Sequence, residues 1–213
     1  MTGTFVDRAT PNGVPLFLSR WLAHPLRMGS VVPSSKTLSN HMARCGWPEE
    51  DDGVVLDLGA GTGVFSRAFL DAGLPPERLV TLEIDPDLAD HLRGTLRGVE
   101  VLECDARALL DYLPVRFQGR ISSVVCGIPL VLLPLEEQRR FVDAIQAVAP
   151  GRGFRLFSYC ITSPLPAKKL GLVAKREVWT PMNLPPASVW RYMPASADAC
   201  IPGEPGHAPS GPR

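Results

Sequence analysis

Residues 54–63, with the sequence VVLDLGAGTG, constrain the fold more than any other part of this chain. Apolar residues around Asp57 predict a buried parallel strand, the alternating glycines predict a tight turn, and the apolar spacing of residues 64–70 predicts a helix. A nucleoside can approach a glycine turn of this kind closely, because no Cβ atom stands in the way. The helix N-terminus at Gly63 also favours a carboxylate or a phosphate.

Acidic residues follow the next two predicted strands. Residues 79–82 lead into Glu83, which lies twenty residues after Gly63, where a carboxylate can accept from both ribose hydroxyls. Residues 99–103 lead into Asp105, which can accept from an adenine amino group. Alone, Asp105 is more often a helix N-cap and Glu83 a solvated strand end, so only their joint order with the glycines supports the prediction.

This order of strand-end acids, with G-A-G-T-G in place of G-x-G-x-x-G, resembles the class I S-adenosylmethionine-dependent methyltransferases over about residues 53–160. The resemblance implies that S-adenosylmethionine is bound, and S-adenosylhomocysteine released, at the glycine turn and the neighbouring loops. The implied cofactor-binding residues are Ser30, Pro33, Ser34, Asp57, Gly59, Ala60, Gly61, Thr62, Gly63, Glu83, Ile84, Asp105, Ala106, Cys126 and Gly127.

Strand and helix patterns alternate along most of the chain and predict an α/β fold. We expect a Rossmann-like class I methyltransferase domain over residues 49–193, with a seven-stranded, mostly parallel sheet flanked by helices. Residues 13–48 are expected to form N-terminal amphipathic and cap helices over the active site. Residues 1–12 and the tail of residues 194–213, rich in Pro, Gly, Ala and Ser, are expected to be disordered.

Composition narrows the cellular setting. No apolar run approaches the roughly 18 residues that a transmembrane helix needs, and the N-terminus lacks the order of features of a secretory signal. The five cysteines are scattered and include no C-x-x-C pair, which predicts a reducing cytoplasm and no metal site.

The net charge of zero conceals a strong asymmetry. Residues 1–48 carry five basic groups and one acidic group, residues 49–151 carry nine and eighteen, and residues 152–192 carry seven and one. We expect the two basic flanks to lie at the carboxyl ends of the strands, where they would meet phosphates. Chance clustering of solvated charge is the alternative.

Residues 14–26 predict an amphipathic helix. Phe17, Leu18, Trp21 and Leu22 share one face, with basic residues at its edge, so the helix could lie in a membrane interface. A helix packed against the domain is equally consistent with the pattern.

The loop after the fourth predicted strand should face the transferred methyl group. Methyltransferases of exocyclic base nitrogens carry N-P-P-[YF] or N-L-P-Y there, with a ring that stacks on the flipped base. Residues 126–130, with the sequence CGIPL, lack both the polar side chain and the ring. The loop therefore favours an amine acceptor that is not a base.

Three segments sharpen the resemblance: GSVVPSS at residues 29–35, CGIPL at residues 126–130 and NLPPASVWRY at residues 183–192. Together with Phe17, Trp21 and Pro25 they resemble the small soluble bacterial phosphatidylethanolamine N-methyltransferases, distant relatives of the rRNA adenine dimethylases, over about residues 15–193. The resemblance implies successive methylation of phosphatidylethanolamine towards phosphatidylcholine. It implies a monomeric cytoplasmic enzyme without a nucleic-acid partner, held at the inner face of the membrane by the N-terminal helix and the basic flanks.

Candidate roles follow from the acceptor chemistry. A lipid ammonium must lose its proton before it attacks, and carbonyls of Ile128 and Pro129 could hold it. Tyr159 could orient the amine or relay its proton, although a half-packed strand-end tyrosine is as consistent. The candidate cations for the lipid phosphate are Arg27, Lys36, Lys168, Lys169 and Arg191.

Two other classes of function stay open from the sequence. The first is an rRNA adenine or small-molecule N-methyltransferase, although an RNA enzyme should be basic overall and carry a helical RNA-binding appendage. The second is a protein that binds the cofactor without catalysis.

Overall fold

The computed structural model describes residues 34–159, 162–181 and 186–195, with side chains from Lys36 onward. In chain order the elements are α1 (Ser34–Cys45), β1 (Val54–Leu58), α2 (Val64–Asp71), β2 (Leu79–Glu83), α3 (Pro86–Thr95), β3 (Glu100–Glu103), α4 (Leu109–Tyr112), β4 (Ile121–Cys126), α5 (Leu135–Val148), β5 (Phe154–Ser158), β6 (Leu172–Thr180) and β7 (Ala187–Pro194). Short 3-10 turns include Leu130–Leu132 and Ala167–Leu170.

The strands form one seven-stranded sheet in the order β3-β2-β1-β4-β5-β7-β6. The first five strands in this order are parallel, and β7 runs antiparallel to both β5 and β6. The predicted Rossmann-like fold with a mostly parallel sheet is confirmed. The strand order reverses between β1 and β4, and the loops that follow these two strands therefore meet at the position where open α/β sheets bind ligands.

Both faces of the sheet are covered, which explains why β1 and β2 are buried at every position. On one face, Leu38 and Met42 of α1 pack with Phe69 of α2 against Val125 of β4. On the other face, α4, α5 and the loop after β4 form the larger core cluster. The central strands are thereby fixed, and the loops at their carboxyl ends are held on a rigid base.

Several predicted features lie outside the described residues: the segment of residues 1–12, the helix of residues 14–26 with Arg27, Ser30 and Pro33, and the tail beyond residue 195. The predicted domain boundaries therefore stay predictions. Within the predicted cap region, α1 packs against α2 and the sheet. Among the described residues, no helix is both long and apolar enough to cross a bilayer.

Candidate active site

The glycine turn after β1 is shaped by close backbone contacts. The N–H groups of Gly59 and Ala60 both donate to the carbonyl of Leu82, at 2.8 and 3.0 Å. Gly59 has φ +67°, and a Cβ atom there would lie 2.5 Å from Cγ1 of Ile128. A larger residue at this position would push the loop after β4 away from the turn.

Gly61 is the point at which the turn faces open space. It has φ +56°, and a Cβ atom built on it would meet no described atom within 4 Å. Its exposure contrasts with Gly63, where a Cβ atom would lie 2.8 Å from Leu92. The turn therefore presents bare backbone at Gly61 to open space at the carboxyl ends of the strands, as a nucleoside site requires, and we call this space the cleft.

Asp57 lies beneath the turn as a fully buried carboxylate. The hydroxyl of Ser66 donates to its Oδ2 at 2.6 Å, while its Oδ1 has no donor among the described residues. Burial, with a smaller contribution from the charge of Glu83, raises the pKa of Asp57 to about 6. A buried acceptor without a partner marks a position that a ligand donor or a water molecule can fill.

Glu83 is also fully buried and braces the turn. Its Oε2 accepts from the N–H of Gly61 at 2.7 Å, and its Oε1 accepts from Ile84 and Asp85 at 2.9 and 3.0 Å. Three of the roughly four acceptor positions of the carboxylate are thus used by backbone. The predicted hydrogen bonds from the ribose hydroxyls to Glu83 stay a prediction. The structure shows a second role, in which Glu83 holds the backbone of Gly61, that the sequence did not reveal.

Asp105 caps the turn after β3 and is clamped by an arginine. It accepts from the N–H of Arg107 at 2.8 Å and forms an ion pair with the Arg107 guanidinium. Burial acts to raise the pKa of Asp105, but the hydrogen bonds from Arg107 outweigh it and lower the pKa. Arg107 also pairs with Glu137 of α5 at 2.5 Å. Asp105, the predicted adenine-binding carboxylate, is therefore connected through Arg107 to the helix that follows the loop after β4.

The loop after β4 contacts the glycine turn directly. The N–H of Gly127 donates to the carbonyl of Leu58 at 2.8 Å, and a Cβ atom on Gly127 would lie 2.6 Å from the carbonyl oxygen of Gly59. Cys126 is buried, which raises its pKa to about 12 and keeps it a thiol at neutral pH. It packs in the larger core cluster and is a poor nucleophile as a thiol, and its predicted contact with the cofactor stays a prediction.

Pro129 forms the centre of an inverse γ-turn, with φ −76° and ψ 67°. The N–H of Leu130 donates to the carbonyl of Ile128 at 2.8 Å, and the N–H of Leu132 donates to the carbonyl of Pro129 at 3.0 Å. Each of these two carbonyls keeps a second lone pair. Their predicted contact with a substrate ammonium is therefore geometrically open and stays a prediction.

Tyr159 follows β5 directly and is half-exposed. Its ring meets Phe157 edge-on at 5.9 Å, and Phe157 meets Phe65 of α2 at 5.4 Å. Burial raises the pKa of the Tyr159 phenol, so this side chain is a hydrogen-bond donor rather than a base at neutral pH. Both roles predicted for Tyr159, orienting the amine and relaying its proton, stay predictions.

The C-terminal basic flank does not lie where the sequence suggested. Lys168 and Lys169 precede β6, whose first residue pairs with Pro194. Since Tyr192 pairs with Phe154, the first residue of β5, this end of β6 lies at the opposite end of the strands from Tyr159. The prediction that this flank meets substrate at the carboxyl ends of the strands is wrong for these two lysines. Because β6 runs in the same direction as β5, it begins, directly after the lysines, at the amino ends of the strands.

Arg191 is likewise engaged elsewhere. It pairs with Arg155 inside the sheet, three positions before the carboxyl end of β5, and shares Glu177 with that residue. Of the predicted phosphate-binding cations, Lys36 is exposed on α1 and Arg27 lies outside the described residues. Of these predicted cations, Lys36 and Arg27 therefore remain the candidates for binding a lipid anion.

No protein-family model matches the chain. It is 33% identical to the ornithine lipid N-methyltransferase of Singulisphaera acidiphila over 181 residues, which cover 82% of this chain and 93% of that protein.

Solved structures share the fold at lower identity. The TehB-like SAM-dependent methyltransferase of Corynebacterium glutamicum matches with a TM-score of 0.51 at 12% identity, over 84% of this chain and 96% of that one. The CurJ carbon methyltransferase matches with a TM-score of 0.56 at 12% identity, over 76% of this chain. This chain spans 54% of the length of the CurJ structure.

Proposed function

This chain belongs to the family of the ornithine lipid N-methyltransferase, and from that membership we propose that it transfers the methyl group of S-adenosylmethionine to the amine of a membrane lipid. The observation that carries the proposal is the 33% identity over 82% of the chain, since the more distant solved structures support only the fold. The glycine turn and the loop after β4 supply the corresponding cleft.

The described residues fit S-adenosylmethionine. Gly61 opens bare backbone to the cleft, Asp57 offers an unpartnered Oδ1 and Asp105 stands at the end of the next strand but one. When bound, S-adenosylmethionine supplies an electrophilic methyl group on a sulfonium, which an amine lone pair takes as the thioether leaves. The chain contributes position, because alignment of two reactants provides most of the rate in such a transfer.

The acceptor must be a neutral amine, whereas an unperturbed alkylammonium has a pKa of roughly 10. Residues 127–130, with the sequence GIPL, contain no ionisable side chain, so an ammonium that enters beside them loses hydration and its pKa falls. Tyr159 stays protonated at the carboxyl end of β5, where its hydroxyl can accept or donate a hydrogen bond. We propose that the ammonium proton leaves to water and that no charged side chain acts as the base.

Two lipids present the required chemistry. The sequence motifs suggest phosphatidylethanolamine, whose primary amine lies beside a phosphodiester, and the relative is named for ornithine lipid, whose ornithine carries an amine and a carboxylate. Both offer a primary amine near an anion at the surface of a bilayer. We propose a lipid of this kind as the substrate and leave the choice between them to direct assay.

The test uses the purified full chain and S-adenosylmethionine labelled in its methyl group. Phosphatidylcholine vesicles carry phosphatidylethanolamine, ornithine lipid or no further lipid, and parallel reactions contain phosphoethanolamine or an rRNA fragment. We expect label in the lipid fraction only where a primary amine lipid is present, and none for Gly61→Val. Label in the rRNA or the soluble amine alone would contradict the proposal, as would cofactor binding without any transfer.

A further inference from the structure

The loop after β4 exposes apolar side chains beside the cleft. Residues 127–135, with the sequence GIPLVLLPL, contain no polar side chain at all. Ile128, Leu130 and Leu133 point into the core. The three side chains that we call the apolar rim, Val131, Leu132 and Leu135, are 42%, 48% and 38% exposed.

The rim is held in place by a network of backbone hydrogen bonds. Besides the γ-turn at Pro129, the N–H of Leu133 donates to Leu130 at 3.0 Å. The side-chain amide of Gln138 donates to the carbonyl of Leu133 at 2.9 Å and ties the loop to α5. A rigid loop that holds contiguous apolar groups at the surface is a feature of interaction sites rather than of ordinary loops.

The apolar rim lies close to the glycine turn, beside which the acceptor amine must be placed. It begins three residues after Ile128, which contacts Gly59 of the cofactor turn. Other large apolar side chains are exposed near the same ends of the strands, namely Ile84 after β2, Tyr159 after β5 and Trp179, which pairs with Ser188 at the level of Ser158. Apolar groups are thus exposed at the carboxyl ends of β2, β5 and β6 as well as on the loop after β4.

We propose that the apolar rim docks on the surface of a lipid bilayer and inserts into its headgroup boundary, so that a lipid amine reaches the cleft without leaving the membrane. The inference rests on the proposed function for its choice of partner. A lipid amine is tethered to the bilayer by its acyl chains, so the loop that borders the amine site must itself reach the bilayer surface. Insertion of apolar side chains there is favourable in proportion to the area they bury.

The charges beside the rim indicate how the docking depends on salt. Glu137, in the first turn of α5, pairs with Arg140, so this side of the rim carries mixed rather than basic charge. Attraction to anionic lipid would require a basic excess. Binding through the rim should therefore change little when salt is raised or anionic lipid is left out.

The test compares two double variants of the full chain. Val131→Ser with Leu132→Ser removes two side chains of the rim. Val115→Ser with Val173→Ser removes two other apolar side chains, 82% and 53% exposed, which lie in the turn before β4 and at the start of β6. On vesicles of phosphatidylcholine and phosphatidylethanolamine, we expect the rim variant to bind roughly tenfold more weakly or worse, and the control to bind like the wild type.

A second readout separates the docking from the proposed function. On a short-chain lipid with the same headgroup, dispersed as monomers, the rim variant should methylate at the wild-type rate, although it fails on vesicles. If the wild type methylates no lipid but binds vesicles through the rim, the proposed function fails and the docking surface stands.

Four outcomes would overturn the docking proposal. The first two are wild-type vesicle binding by the rim variant and equal losses in both double variants. The third is a melting temperature that falls only for the rim variant, which would show that the rim packs within the chain. A change in oligomeric mass confined to the rim variant would also overturn it, because the rim would then be a contact between two copies.

Discussion

The carboxylate of Glu83, at the end of β2, accepts a hydrogen bond from the backbone N–H of Gly61 at 2.7 Å. This bond joins the second strand to the part of the glycine turn that faces the cleft. Because Glu83 is fully buried and also accepts from Ile84 and Asp85, it fixes the shape of the turn before any ligand arrives. Cofactor affinity and local stability should consequently depend on the same carboxylate.

Replacement of Glu83 by Gln tests that dependence. The amide nitrogen cannot accept, so at least one backbone N–H loses its hydrogen bond to a charged carboxylate, at a cost of about 1.5–3 kcal/mol of unfolding free energy. Affinity for S-adenosylhomocysteine should fall as well. Denaturant unfolding and titration calorimetry measure the two effects. The control is Glu103→Gln, because Glu103 lies on β3, is exposed and pairs with Arg93. Wild-type affinity and stability in Glu83→Gln would refute the assignment.

Gly61→Val should abolish cofactor binding through the space that its side chain occupies. Gly171→Val is a matched control, since Gly171 also has a positive φ, of +67°, and open space around its Cβ position, but precedes β6 at the other end of the strands. Both variants should lose about 1–2 kcal/mol of stability from the left-handed backbone. Only Gly61→Val should lose S-adenosylhomocysteine binding in calorimetry, and equal affinities in the two variants would make the turn purely structural.

The raised pKa of Asp57 predicts a specific dependence of stability on pH. The pKa of Asp57 is about 6 in the folded state and 3.8 in the unfolded state, so the folded state holds the proton more tightly. The resulting stabilisation is complete below pH 3.8 and is lost as pH rises through about 6. The difference amounts to at most about 3 kcal/mol. Asp57→Asn removes the titrating group, and thermal melts from about pH 4 to pH 7 should show a flatter profile than the wild type. Parallel profiles would contradict the prediction.

The N-terminal helix predicted for residues 14–26 can be tested independently of the rim. Replacement of Phe17 and Trp21 by serine should weaken vesicle binding and leave the melting temperature nearly unchanged, since an interfacial helix packs on lipid rather than on the core. A helix packed in the core would give the reverse, because loss of a buried aromatic side chain costs roughly 3–5 kcal/mol. Liposome sedimentation and a thermal melt on the same variant decide between the two.

The fold and the glycine turn could be predicted because their signals are local. Asp57 and the glycines are almost contiguous in sequence, and each strand carries its own apolar run. By contrast, the clamp between Arg107 and Glu137 joins residues thirty positions apart, for which the sequence offers no local pattern. Sequence reasoning found Asp105 but not the partners that hold it.

Charge counts misled for a related reason. Lys168 and Lys169 belong to a basic segment, but the direction of β6 and β7 decides which end of the sheet they reach, and composition does not encode strand direction. In the same way, Val131 and Leu132 are residue types that usually lie in a core, and the sequence does not show that they are exposed. Only the folded loop shows that Leu130 is buried while its two successors face outward.

The central claim is that this chain methylates the amine of a membrane lipid, and mass spectrometry of the lipid product tests it most directly. Purified protein is incubated with S-adenosylmethionine and vesicles that contain phosphatidylethanolamine and ornithine lipid together, and in parallel with the same lipids after N-acetylation of their amines. We predict that at least one lipid gains methyl groups on nitrogen and that its acetylated form gains none. Gly61→Val should methylate neither lipid. Unmodified amines in both lipids, under conditions in which the protein binds S-adenosylhomocysteine, would contradict the claim.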